Sequence, residues 1–385
     1  MSDSARAQLD AKVLSWMREP AALEWAQQEE RFDLLARELF AFQFEHCAPY
    51  GRFCKRRGRT PATVRNWRDV PAVPSGAFKE LALRSFAAEE TVHVFRTSGT
   101  SLARRGELHL DTLTLYEASV LPSFVVHMLP ELLRGSFSGP PLAASPPRLR
   151  VLAPAPLEAP DSSLSHMFGV LLRELASRNA IGPSGFDVAG GELRFEGWLR
   201  ALDDAMAHDA PLVLCGTAFA FVHALDELAH RGTCLSLPAG SRVMETGGFK
   251  GRARELSRGA LYALIEERLS IPPARIVNQY GMTELASQFH DSVLRFPGAP
   301  RRKLAPPWAR VRLVDPATGD PVLPGEVGVI VIHDLGNTGS VCAVETADLG
   351  RAVGDGFEVL GREPGAEARG CSLAADEMLT GLGPA

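Results

Sequence analysis

Apolar residues recur at three- and four-residue steps near the amino terminus, where Phe32, Leu35, Leu39 and Phe42 are separated by charged positions. That spacing predicts amphipathic helix through the first fifty residues. Pro61, Pro71 and Pro74 then mark an extended, turn-rich passage ending at Gly76-Ala77-Phe78-Lys79-Glu80. Short alternating runs follow, the first being Thr91-Val92-His93-Val94-Phe95. Residues 135–148, rich in Gly, Pro, Ser and Ala, predict a surface loop, and residues 149–154 a buried strand. An apolar run at 211–215 precedes a helical pattern reaching Leu228. Leu261, Leu264, Ile265 and Leu269 predict a helix stopped by Pro272-Pro273, and residues 275–279 a strand leading into Tyr280-Gly281. Such alternation indicates an α/β architecture, in which ligands bind beyond the carboxyl ends of strands. The loops after Phe95 and Gln279 are therefore where chemistry is expected. In the last hundred residues, 311–314, a turn at 315–320 and 328–332 predict a β-hairpin with a long loop within a smaller β-rich part. The expected division is a helical segment at 1–75, an α/β core at 76–300 and a β-rich subdomain with a short tail at 301–385.

Composition narrows the class of protein. The 385 residues carry 41 Lys+Arg against 46 Asp+Glu, a net charge of −5. That balance argues against nucleic acid as a partner, since phosphate backbones are gripped by clustered cations. The one dense basic run, 55–59 (Lys-Arg-Arg-Gly-Arg), reads as a solvated loop after a helix, or as a face for an acidic partner. The opening residues lack an apolar signal segment, and the most apolar window, around 120–133, is interrupted by Pro122, His127 and Pro130. No membrane span is expected. Six scattered cysteines (Cys47, Cys54, Cys215, Cys234, Cys342, Cys371) without a Cys-x-x-Cys pair fit free thiols in a cytoplasm. The histidines show no zinc-ligand spacing. Trp16, Trp25 and Phe32 read as core or partner-facing residues, and Cys215 as a packed core thiol.

Two segments carry candidate chemistry. Thr97-Ser98-Gly99-Thr100-Ser101 sets four hydroxyls and a glycine directly after a predicted strand. Hydroxyls and backbone N–H groups approaching at a glycine can cradle a polyphosphate, although the Gly-Lys-Ser/Thr ending of a Walker loop is missing. Read alone, the run is equally a plain turn. Tyr280-Gly281-Met282-Thr283-Glu284 offers an aromatic face, a tight turn, a hydroxyl and a carboxylate, suited to adenine, phosphate and Mg²⁺. By itself it also reads as a helix start with Thr283 near the cap.

Together the two segments resemble the phosphate loop and the Tyr-Gly-x-Thr-Glu motif of the adenylate-forming enzyme superfamily. Glu345-Thr346-Ala347-Asp348-Leu349 resembles its Thr-Gly-Asp motif, and Gly361-Arg362-Glu363 its Gly-Arg hinge motif. The likeness covers about residues 70 to 375. Gly76 to Glu80, Asp161-Ser162-Ser163-Leu164-Ser165-His166-Met167, Glu245-Thr246-Gly247-Gly248-Phe249-Lys250-Gly251 and Arg369-Gly370-Cys371-Ser372-Leu373 resemble the acyl-protein synthetases of the bacterial fatty-acid reductase system, the LuxE family. The resemblance implies activation of a fatty acid with ATP and Mg²⁺ to acyl-AMP. The acyl group then passes to a cysteine thiol and on to a partner acyl reductase. It implies that Thr97, Ser98, Gly99, Thr100 and Ser101 hold the ATP phosphates, and that Gly247 and Gly248 form a turn against adenine. Tyr280, followed by Gly281, stacks on that ring, Thr283 contacts phosphate, and Glu284 binds the metal. Asp348 accepts the ribose hydroxyls, Arg362 pairs with ribose or phosphate oxygens, and Cys371 carries the acyl group, with Arg369 lowering its pKa. Asp161 to Met167 would line the acid site, and Lys79 or Lys250 reach a phosphate or carboxylate.

The sequence also departs from that pattern. The phosphate loop runs on as Leu102-Ala103-Arg104-Arg105, so Arg104 or Arg105 is expected to supply the cation, and Ala347 replaces a glycine. Only 23 residues follow Arg362, which leaves no room for a mobile C-terminal domain with a catalytic lysine. Competing readings are an acid–CoA ligase of the phenylacetate type and a non-catalytic nucleotide-binding subunit of an acyl reductase.

Overall fold

The computed structural model describes residues 2–22, 24–98, 104–133, 145–247 and 256–362. Three helices open the chain: α1 (Ser2–Met17), α2 (Glu29–His46) and α3 (Ala48–Arg56). β1 (Val73–Pro74) and α4 (Ala77–Glu80) lead to the hairpin of β2 (His93–Arg96) and β3 (Glu107–Leu110), then to α5 (Thr114–Met128). Strands and helices next alternate: β4 (Arg148–Pro154), α6 (Ser163–Ser177), β5 (Gly185–Ala189), β6 (Glu192–Leu193), α7 (Phe195–Ala207), β7 (Leu212–Thr217), α8 (Ala218–His230), β8 (Arg242–Thr246), α9 (Arg258–Leu269) and β9 (Ile276–Tyr280). The remainder is strand: β10 (Phe289–Asp291), β11 (Lys303–Leu304), β12 (Ala309–Val314), β13 (Val327–Asp334), β14 (Ala343–Val353) and β15 (Gly356–Arg362).

The period-2 pattern explains the layers. In β7, Val213 and Cys215 enter one core while Leu212 and Leu214 enter another; Val151 and Leu152, Met244 and Val243, and Val277 and Ile276 divide the same way. Successive strand residues point to opposite faces, so these parallel strands are covered on both sides. The first core also takes Trp16, Phe32, Phe40 and Phe53 from α1–α3, as well as Phe124 of α5 and Phe168 of α6, and the second is filled from α7, α8 and α9. Cys215 is fully buried, and that burial pushes its thiol far up, as expected of a core residue. Trp25 packs edge-on to Trp308 at 5.6 Å.

Strands pair in the order β12-β13-β14-β15-β11-β10-β9-β8-β7-β4-β5-β6, with β1 on β14. The expected core and β-rich parts thus share one hydrogen-bonded path, through β10–β11 and β11–β15. The predicted hairpin is β12 with β13, antiparallel from Ala309↔Asp334 to Val314↔Val329. β2 differs from expectation: it belongs to a separate two-stranded sheet, antiparallel to β3. α5 runs through Pro122. Proline inside a helix costs about 3 kcal/mol, here offset by burial of Val120, Phe124 and Met128. Among the described residues no helix is long and apolar enough to cross a membrane. In the basic run, Arg57 lies over the Phe53 ring at 4.1 Å, and Arg59 faces Asp69 at 3.7 Å.

Candidate functional site

The carboxyl ends of β7, β8 and β9 lie side by side, in the register Thr217↔Thr246 and Thr246↔Gln279. Thr217 caps α8 by accepting the Ala220 N–H at 3.1 Å, so the chain turns straight from strand to helix there. After β8, Gly247 adopts φ 78°, a left-handed conformation suited to glycine, and a Cβ built on it meets nothing within 4 Å. β9 ends in Tyr280, whose hydroxyl donates to Asp348 Oδ2 at 2.8 Å. Arg362 Nε stands 3.6 Å from the other oxygen of Asp348, because β14 and β15 place the two residues opposite each other. Burial, with the Asp348 charge adding to it, raises the Tyr280 phenol well above its usual range. Three residues expected to serve one nucleotide are therefore contiguous.

The phosphate-loop segment meets the same end of the sheet across a glycine. The Thr97 Oγ1 accepts the N–H of Gly106 at 2.9 Å. A Cβ on Gly106 would lie 3.1 Å from Thr97 Cγ2 and 3.6 Å from Glu284 Oε1. Thr97 and Glu284, 187 positions apart in sequence, thus flank one residue. Arg105 fastens this arrangement: it donates to Thr97 O at 2.6 Å and to Asp161 Oδ2 at 2.7 Å. Of the two arginines expected to supply a cation, Arg105 is spent on closing the base of the loop, and Arg104 projects outward near Glu80 at 3.6 Å.

The segment after Tyr280 corrects the helix-start reading, since no helix begins between 281 and 288. Its N–H groups go instead to a distant carboxylate. Asp334, fully buried at the end of β13, accepts from Ala286 N at 2.9 Å, Ser287 N at 2.8 Å, Ser287 Oγ at 2.8 Å and Gly336 N at 3.0 Å. Asn337 Nδ2 donates to the Glu284 carbonyl at 2.7 Å. Under the floor of the site, buried Lys303 Nζ bonds Asn278 O at 3.0 Å and Asp291 Oδ1 at 2.9 Å, and Asn278 Nδ2 bonds Glu245 Oε1 at 2.7 Å. Burial raises the Glu245 carboxyl, against the opposing Asn278 amide and Lys303 charge.

Gly99, Thr100, Ser101, Gly248, Lys250 and Cys371 lie outside the described residues. Ser98, Gly281 and Thr283 sit in the loops just described, Ser98 and Gly281 exposed and Thr283 half-buried. Among the described residues no group of three His, Cys, Asp or Glu side chains gathers as a metal cage. One buried carboxylate with hydroxyls beside it is a donor set that fits Mg²⁺ arriving with nucleotide phosphates, because that ion keeps most of its water and phosphate ligands. Asp334, Asn337, Arg105 and Gly106 were not singled out as a group by sequence. Their signal is faint: an Asp-Leu-Gly-Asn turn after a strand, and a lone glycine closing a polar run.

Comparisons with known proteins agree with this picture. The family model described as acyl-protein synthetase, LuxE, matches residues 186–380. A long-chain-fatty-acid–luciferin-component ligase of Aliivibrio fischeri is 22% identical over 341 residues, 88% of this chain and 83% of that protein. The protein of the same name from Vibrio harveyi is 20% identical over 375 residues, covering 93% and 91%. Among solved structures, 2-hydroxyisobutyryl-CoA ligase in its postadenylation state superposes with a TM-score of 0.60 at 15% identity, over 88% of this chain and 69% of that one. Its open conformation gives 0.58 at 16%, over 87% and 75%. The fold is that of the adenylate-forming acyl-CoA ligases.

Proposed function

The chain belongs to the acyl-protein synthetase (LuxE) family, and from that premise we propose that it activates a long-chain fatty acid with ATP and takes the acyl group onto Cys371. The observation that carries the reading is the convergence of Thr97 and Glu284 across Gly106, beside the Tyr280–Asp348–Arg362 group. The Aliivibrio and Vibrio relatives are long-chain-fatty-acid–luciferin-component ligases.

In the first step a carboxylate oxygen attacks the α-phosphorus of ATP; the new P–O bond forms as the bond to pyrophosphate breaks. Hydroxyl and N–H donors of residues 97–101 neutralise the departing pyrophosphate. Glu284, with Thr283 nearby, would hold Mg²⁺, which when bound would supply Lewis-acid charge neutralisation at those oxygens. Tyr280 offers its ring to adenine behind Gly247 and Gly248, and Asp348 accepts the ribose hydroxyls, with Arg362 beside it. In the second step the Cys371 thiolate attacks the acyl carbon, AMP leaves, and a thioester remains for transfer to an acyl reductase. A thiolate suits this role because it is strongly nucleophilic near neutral pH.

The protein incubated with ATP, Mg²⁺ and labelled long-chain fatty acid should retain label that hydroxylamine releases. Cys371→Ser should abolish that label while leaving acid-dependent ATP–pyrophosphate exchange intact. Soluble product requiring CoA, with unlabelled protein, would point to a CoA ligase; absence of exchange with any acid would point to a binding subunit. Gly106→Val places two methyl groups between Thr97 and Glu284. We expect the exchange rate to fall about tenfold or more, together with some loss of stability, because even a Cβ there lies 3.1 Å from Thr97 Cγ2. An unchanged rate would remove Gly106 from the site.

A further inference from the structure

We propose that Asp334 is a positioning residue for Glu284, fixing the carboxylate that meets the cation of Mg–ATP through the backbone of residues 284–287. The inference rests on the activity proposed above. Glu284 is buried, with its Oε1 facing the phosphate-loop base at Gly106. Yet the segment carrying it is neither helix nor strand, so the sheet's own ladder does not hold it. Ser119 of α5 donates to its Ala286 carbonyl at 2.6 Å, and its N–H groups are held by β13 and the turn after it. Asp334 gathers four donors onto two oxygens, two of them the successive N–H groups of Ala286 and Ser287. Asn337, three residues on, takes the carbonyl of Glu284 itself.

This clamp is anchored in turn. The Asp334 N–H donates to Cys342 O at 2.7 Å, and Asn337 O accepts from Gln43 Nε2 of α2 at 2.7 Å. Trp308 Nε1 reaches Ser287 Oγ at 3.1 Å. Gly336 is what lets the turn close: a Cβ there would lie 2.7 Å from Ala286 Cβ. Charge-assisted bonds from backbone N–H groups to a carboxylate are among the stronger ones available to a loop. Outer-shell partners of a metal-binding carboxylate commonly tune metal affinity by 10–100-fold.

The test is equilibrium binding of ATP by calorimetry across a series of Mg²⁺ concentrations. Glu284→Gln sets the scale for complete loss of the Mg²⁺ effect. Asp334→Asn should lose at least about tenfold of the Mg²⁺-dependent tightening while its affinity for ATP without Mg²⁺ stays at the parent value. Placing an amide among four donors also costs stability, so Asn337→Ala, which keeps Asp334, carries the test independently with a smaller loss in the same direction. Parent-level tightening in folded Asp334→Asn and Asn337→Ala overturns the inference and leaves the proposed activity standing. Equal loss with and without Mg²⁺ also overturns it, because that is the mark of a merely structural residue. A parent protein that binds no ATP removes the activity and the inference together.

Discussion

Lowering the pH from 7 to 5 should remove at least about 4 kcal/mol of folding stability, because three imidazoles are folded away from protons. His127, His290 and His333 are each no more than 1% exposed. Burial holds His127 and His333 down to about 3 and His290 well below its usual range. Neighbouring cations add to this, Arg295 and Lys303 near the first pair and Arg312 and Arg68 near His333, while Asp291 opposes. His127 and His290 stack with centroids 5.4 Å apart, so two imidazolium charges there would repel strongly. Among the described residues, His127 Nε2, His333 Nδ1 and both ring nitrogens of His290 have no hydrogen-bond partner. In the unfolded chain each histidine binds a proton near pH 6.5. The unfolded state therefore holds more protons below that pH, and stability present above 6.5 is lost as pH falls. His127 and His333 contribute about 2 kcal/mol each by pH 5, and His290 acts in the same direction, together a large share of the 5–15 kcal/mol typical of a folded protein. Urea midpoints measured between pH 7 and 5 should drop steeply, and His290→Phe should lessen the slope by about one proton. A flat profile would count against three neutral buried imidazoles.

The second large effect is expected from Lys303→Met, at about 3–5 kcal/mol of destabilisation. The lysine is 1% exposed and holds three strands together: its own β11, Asn278 of β9 and Asp291 of β10. Burial alone would raise the Asp291 carboxyl, yet Lys303 and Arg301 together hold it down to about 2. Methionine fills the same space but leaves that carboxylate without its buried cation, held only by Arg301 at the edge of the cluster and by the Asn278 N–H at 3.1 Å. Denaturant unfolding of Lys303→Met, Asp291→Asn and the double variant checks the assignment. The double variant should cost clearly less than the two single changes together, because the second substitution removes the charge that the first leaves stranded. Strict additivity would show that the pair does not interact.

Much of the fold was legible because its signals are local. The strand into Tyr280, the helix stopped before Pro272, and the hairpin from Ala309 each announce themselves by period and turn residues within a dozen positions. Some of the residues expected at one nucleotide lie together: Thr97 and Glu284 flank Gly106, and Asp348 bonds Tyr280 and stands beside Arg362. What sequence hid depends on partners far along the chain. Asp334 looks like any strand-end acid until Ala286 and Ser287 are seen to donate to it, 47 and more positions away. The helix-start reading of Thr283-Glu284 failed for the same reason, since the N–H groups a helix would have used are taken by that carboxylate. Lys303, too, looks like a surface lysine until Asp291 and Asn278 close around it.

The pairing of β14 with β15 has a kinetic meaning for the proposed reaction. It sets Arg362 opposite Asp348, and so fixes the point from which the remaining sequence is tethered. Nine residues along the sequence lead from Arg362 to Cys371, a covalent reach of no more than about 30 Å. If Cys371 carries the acyl group as proposed, a thiol on so short a leash would meet the acyl-adenylate at about millimolar effective concentration, however dilute the protein. Self-acylation would then be first order in protein, and a thiol free in solution would itself need to approach millimolar levels to compete.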